Sequence, residues 1–135
     1  MEKFENNISS VEPVEASSEK KDAIDKFFTY HLTNIRTFRN SGDPDSAFTA
    51  FHLMIIHLKN WGITDEETGI SLETLAKEQG LFHLNFARRL KGRRGVLNQL
   101  EKLNFCVNTG NLQLSDLETS EEEIENLKNS ISNNS

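Results

Sequence analysis

Between positions 88 and 94 the chain reads Arg-Arg-Leu-Lys-Gly-Arg-Arg, five cations in seven residues. Guanidinium and ammonium groups set this closely suit one chemistry, the neutralisation of a polyanion such as a phosphate backbone. The rest of the chain is acidic. Residues 1–26 and 27–79 each hold seven acids and four bases, 80–115 one acid and six bases, and 116–135 six acids and one base, for a net charge of -6. Such a distribution implies that a polyanion is met at one place while the remaining surface repels it. Gly92 and Gly95 bracket Arg93 and Arg94, and glycines beside arginines let backbone amides come close to a phosphate. The plainer alternative is a basic turn that solvates a helix–helix corner.

No other group of residues points to chemistry. His52 and His57 are five apart, about 140° around a helix, and His31 and His83 lie elsewhere, so no metal site is expected. Cys106 is the only cysteine, which excludes an internal disulfide and fits a reducing compartment. Nucleophile elbow, phosphate-binding glycine loop and paired-cysteine motif are all missing, so neither an enzyme nor a cofactor is expected. The N-terminus lacks the charged-then-apolar order of a secretory signal, and no apolar run approaches the roughly 20 residues of a membrane span. The expected location is cytoplasmic or nucleoid-associated, without a membrane partner.

The elements that would position the cations follow from periodicity. Residues 1–20 bury too little to offset the entropy of ordering and read as a disordered tail. From 21 to 40, Ile24, Phe27, Phe28, His31, Leu32, Ile35 and Phe38 recur at three- and four-residue steps, an amphipathic helix. Asp43 and Pro44 suit the N-cap and first position of the next helix. That helix, about 47–61, is apolar nearly all round and reads as a central buried rod. Residues 64–69 read as a polar loop. Ser71 caps a short helix ending at Gly80; further helices are expected over about 83–91 and 96–103. Residues 105–114 read as two short strands around a Thr-Gly turn. Ser120-Glu121-Glu122-Glu123 has the spacing of a capping box, opening an acidic helix within the 116–135 tail.

One helix through 83–103 would put Arg93 and Arg94 on the stripe between Leu90 and Leu97. Burying unpaired charge costs several kcal/mol, roughly, against about 1 kcal/mol for each interrupting glycine. A break at 92–95 that turns both guanidinium groups outward is therefore predicted.

The order helix, short helix, helix, hairpin resembles a winged helix-turn-helix domain. The resemblance is carried by Ile70-Ser71-Leu72-Glu73-Thr74-Leu75-Ala76-Lys77-Glu78-Gln79-Gly80-Leu81 and by Leu97-Asn98-Gln99-Leu100-Glu101-Lys102-Leu103-Asn104-Phe105, over about 47–115. Asn104 stands where a left-handed residue is common. The interval between Gly80 and Leu97 is about two turns longer than the family usually has. The resemblance implies a winged-helix-like helical body with a small C-terminal β-hairpin as wing; the amphipathic helix 21–40 lies outside it and is read as an extra N-terminal helix, giving a mostly α single domain over 21–115. The resemblance also implies double-stranded DNA as partner and work in transcription control or as a replication, plasmid or phage accessory factor. Its site would comprise Arg88, Arg89, Lys91, Arg93 and Arg94, with His83, Asn85 and Asn98 as polar contacts and Thr109, between Asn108 and Asn111, at the wing tip. Helix 21–40 would pair two chains as a homodimer. The alternative is a protein–protein module whose arginines grip an acidic partner. The acidic C-terminal segment is either a solubilising tail or a competitor folding over the cations.

Overall fold

Helix α1, Asn6–Asn40, and helix α2, Pro44–Asn60, are joined by only three residues and pack as an antiparallel pair. The computed structural model describes the backbone of residues 6–132 and the side chains of residues 19–129. Residues 1–5 of the expected tail thus lie outside the described residues, as do the side chains up to 18. Within α1 the predicted stripe holds: Ile24, Phe28, His31, Leu32 and Ile35 are buried. The start of α2 also follows the sequence. Asp43 Oδ1 accepts from the Ser46 amide at 3.1 Å, and Pro44 occupies the first turn.

Beyond Gly62 the expected polar loop is instead a one-turn helix, α3, Asp65–Thr68. Thr64 and Glu67 make a reciprocal capping box, and Gly69 closes the turn at φ 83°. Asp65 also accepts from the Leu72 amide, fixing the entry to helix α4, Leu72–Arg89. Ser71 caps α4 as predicted.

Gly80 does not end that helix. The two short helices read from the sequence are one, because Leu75, Ala76, Gln79, His83, Leu84 and Ala87 form an unbroken buried stripe. Packing along such a stripe exceeds the roughly 1 kcal/mol penalty of a mid-helix glycine. Gly80 itself sits against α5; a Cβ there would lie 3.4 Å from Leu103 Cδ1 and 3.5 Å from Cys106 Cβ.

Helix α5, Arg93–Gly110, runs antiparallel to α4 and is longer at both ends than expected. The predicted hairpin is absent: there is no strand among the described residues, and 105–110 continue the helix. Val96, Gln99, Leu100, Leu103 and Cys106 keep one helical stripe buried, so Phe105 and Val107 follow the helical period rather than the strand period. Asn104 lies inside the helix. The left-handed residue is Asn111 (φ 53°), where the Leu112 amide bonds back to Val107 O at 2.9 Å. The winged-helix arrangement is therefore not what the chain adopts; the mostly helical class is.

A 3-10 turn, Leu114–Leu117, brings Leu117 fully into the core, and helix α6, Glu121–Ser132, lies along α5. The α1–α2 and α4–α5 pairs share one core. Phe105 joins the two layers, its ring edge-on to Phe48 at 5.3 Å, Phe51 at 6.3 Å and His52 at 4.8 Å. Helix α2 is not buried all round: Leu53 and Ile56 are exposed.

Candidate nucleic-acid interface

The break between α4 and α5 falls at residues 90–92, slightly before the predicted position. Leu90 leaves α4 in an extended conformation, and Gly92 is the N-cap of α5. Arg93 and Arg94 therefore belong to the first turn of α5 rather than to the break. The change of direction still achieves the predicted result, since both are exposed while Val96, two residues on, is buried.

Gly92 has no side chain to cap the helix, and the first backbone bond into α5 is Val96 N to Gly92 O at 3.0 Å. The amides of Arg93, Arg94 and Gly95 have no acceptor among the described residues. They carry the positive end of an 18-residue helix into the middle of the cation cluster. Arg89, Lys91, Arg93 and Arg94 are all exposed, and among the described residues none has a carboxylate partner. Arg89 stacks its guanidinium over the Phe86 ring, 5.0 Å from the centroid. A shallow open concavity runs from Gly92, Arg93, Arg94 and Gly95 to Leu97, Asn98 and Glu101. Geometry of this kind binds phosphate by charge and amide donation together.

Arg88 is different. Its Nε and Nη2 donate to the two oxygens of Glu123 at 2.8 and 2.9 Å, and its Nη1 donates to Asn85 Oδ1 at 3.0 Å. The forked pair raises the guanidinium pKa and, with a further bond from Thr119, holds the Glu123 carboxyl down to about 2. Glu123 is the last residue of the expected capping box, three after Ser120. Its amide does bond Ser120 Oγ, but its carboxylate goes to Arg88. The pairing spans 35 residues, and the sequence signal for it was the acidic run facing a basic one.

The remaining expected contacts divide. His83 is wholly buried, with Nδ1 2.8 Å from Gln99 Oε1 and Nε2 2.9 Å from Gln79 Nε2, so it does not face a ligand. Asn85 is exposed beside Arg88. Asn98 borders the concavity and accepts from Lys102 Nζ at 2.9 Å. Lys102, the sixth base of the region, is tied to Asp45 at 3.3 Å and lies over the Phe48 ring. Thr109 sits in the last turn of α5, not at a wing tip. Sixteen residues of helix place it about 24 Å from Arg93, outside the corner.

No other reactive centre accompanies the cations. The Cys106 thiol is buried and pushed up to about 12, and burial lowers His83 to about 4. Among the described residues, no three His, Cys, Asp or Glu side chains are grouped to hold a metal ion, and no helix is long and apolar enough to cross a membrane. Set against known proteins, the chain matches no family model, no curated protein and no solved structure.

Proposed function

We propose that this chain binds double-stranded DNA through the α4–α5 corner, as a regulator or accessory factor acting on nucleic acid. The observation that carries the reading is a single one: four exposed cations within residues 89–94, none with a carboxylate partner among the described residues, around the uncapped N-terminus of α5. Arg93, Arg94 and Lys91 neutralise phosphates. Backbone amides 93–95 donate to a phosphate oxygen, and Arg89, over the Phe86 ring, makes a second contact. Arg88 does not count among the contacts while Glu123 holds it.

Fluorescence anisotropy with labelled duplex across a salt series tests this. Four phosphate contacts give log K against log salt a slope near -3.6, from about -0.9 per phosphate. Replacing Arg93 and Arg94 together by Ala reduces the magnitude of that slope by about 2. Absence of binding to any duplex at low ionic strength refutes the reading and leaves the arginines to an acidic protein surface.

A further inference from the structure

Four large apolar side chains stand in solvent: Tyr30 (64 % exposed), Trp61 (58 %), Leu53 (45 %) and Ile56 (39 %). All four belong to the α1–α2 pair. Leu53 and Ile56 are three apart, so they are neighbours on the side of α2 turned away from its buried Ala47, Met54 and Leu58. Trp61 is held rigidly: it stacks on His57 at 5.0 Å with the planes 7° apart and meets Phe27 at 5.0 Å. Phe27 packs on His31, which Tyr30 touches edge-on at 5.3 Å. These rings link Tyr30 of α1 to Trp61 at the end of α2, while Leu53 and Ile56 stand on the outward side of α2.

The middle of the pair's outer face is without Asp, Glu, Lys or Arg: none occurs between Lys26 and Arg36 in α1, or between Asp45 and Lys59 in α2, in a chain that is 27 % charged. Charge returns at the rim, where Lys20 lines the same hollow as Trp61 and exposed Lys26 stands one turn before Tyr30. The other exposed positions in those stretches are polar, such as Thr29, Thr33, Thr49 and His52. The absence of charge narrows the occupant. A charged partner finds nothing to pair with at its centre, around Leu53 and Ile56. Two copies of a protein with net charge -6 can approach closely only where neither presents carboxylates.

We infer that the outer face of the α1–α2 pair, centred on Tyr30, Leu53, Ile56 and Trp61, binds the same face of a second copy to form a two-fold homodimer. The four side chains expose on the order of 400 Å² of apolar surface, taking about 200 Å² for a large side chain in the open. A stable interface needs about 800 Å² per partner. The polar residues flanking the patch supply the remainder, so a weak, concentration-dependent association is expected. The face shares no residue with the cationic corner at residues 89–94, so the pairing does not use the corner's side chains. The inference does not depend on DNA binding.

Sedimentation velocity on the full chain from about 1 to 200 µM tests it. The expected result is a concentration-dependent shift from the 15.4 kDa monomer to a dimer. Trp61 is the only tryptophan, and its emission should move to shorter wavelength over the same range. Ile56→Glu and Leu53→Glu, at exposed helical positions, should each weaken association at least tenfold with unchanged urea midpoints. Lys77→Gln, which makes the same change in net charge on α4, should leave association unaltered. A monomer throughout the range overturns the inference, as does a dimer that tolerates both glutamates. Because this assay contains no nucleic acid, its failure and the failure of the DNA reading are separate results.

Discussion

Acidification between pH 7 and pH 5 should destabilise this protein through one buried imidazole. His83 is completely buried between Gln79 and Gln99. Only one arrangement satisfies both ring nitrogens as drawn: Nδ1–H donates to Gln99 Oε1, and Nε2 accepts from the Gln79 amide. A proton added at Nε2 meets a donor, in a site without water's dielectric. Burial is the largest cause of the drop to about 4; Lys102 and Arg39 push in the same direction, while the bond to Gln99 and the Asp45 charge oppose it. The unfolded chain takes up this proton near pH 6.5 and the folded chain near 4, so the unfolded state binds more protons in that window. The contribution is fully present above pH 6.5 and is lost as pH falls towards 4. Integrating between those two values gives a loss of about 2 kcal/mol from pH 7 to pH 5. Urea unfolding followed by circular dichroism at pH 7, 6 and 5 measures it, and His83→Gln supplies the control. The variant should be less stable at pH 7 by about 1–3 kcal/mol, because one buried amide loses its partner. Its stability should also vary less with pH, retaining the part due to His31, whose pKa is lowered by burial and by His57. An unchanged pH slope in His83→Gln would refute the argument. The carboxylates that the fold stabilises, including Glu123 near 2, lose their contributions only below about pH 4.5 and do not confuse the window.

Three further perturbations separate packing from surface chemistry. Gly110→Ala places a Cβ 2.6 Å from that of Ala76, a contact neither helix can relieve by a rotamer change, and should cost about 1–3 kcal/mol in thermal or urea unfolding. Adding Ala76→Gly should restore part of the loss. Leu117→Ala, in the stretch read from sequence as a tail, should cost about 2–5 kcal/mol because Leu117 is fully buried against Gly80. Glu123→Gln releases Arg88; duplex affinity at low salt should rise and the salt slope should steepen by about 0.9, readable in the same anisotropy series.

What could be read in the chain was mostly local. The Asp43–Pro44 start, the Ser71 cap and the stripe from Ile24 to Ile35 depend on residues within one or two turns of each other, and all appear as expected. The break near the arginines was legible because charge, glycine spacing and the leucine stripe agreed on it. Gly80 and residues 105–114 were misread for a shared reason. A glycine in mid-pattern and a short run such as Phe105-Cys106-Val107 have weak local preferences, and long-range packing decides them. Gly80 continues the helix because Leu103, Cys106 and Leu117 fill the space beside it. Phe105 is helical because its ring lies among Phe48, Phe51 and His52 of another layer. The apolar α2 looked like a buried rod because composition does not tell how many neighbours a helix will have. It has α1 on one side and α4–α5 on another, and its third side is the face carrying Leu53 and Ile56. The exposure of that face and the Arg88–Glu123 pair both require knowing which elements meet.

The two proposed surfaces should respond to salt in opposite directions, which makes them separable in one sample. Phosphate contacts at the corner weaken steeply as counterions compete. Association through a face uncharged at its centre, between two chains of charge -6, is opposed by their general repulsion, and salt screens that repulsion. Raising salt should therefore detach duplex while leaving dimers intact or slightly favoured. At low protein concentration the duplex slope reports one corner, near -3.6; above the dimer midpoint, a duplex long enough to meet both corners should give about twice that. Steepening with protein concentration would link the faces through a common dimer. A slope that stays near -3.6 at all concentrations, on long duplex and with dimer present, would mean that the two corners of a dimer cannot engage one DNA molecule. Dimerisation would then serve something other than binding strength.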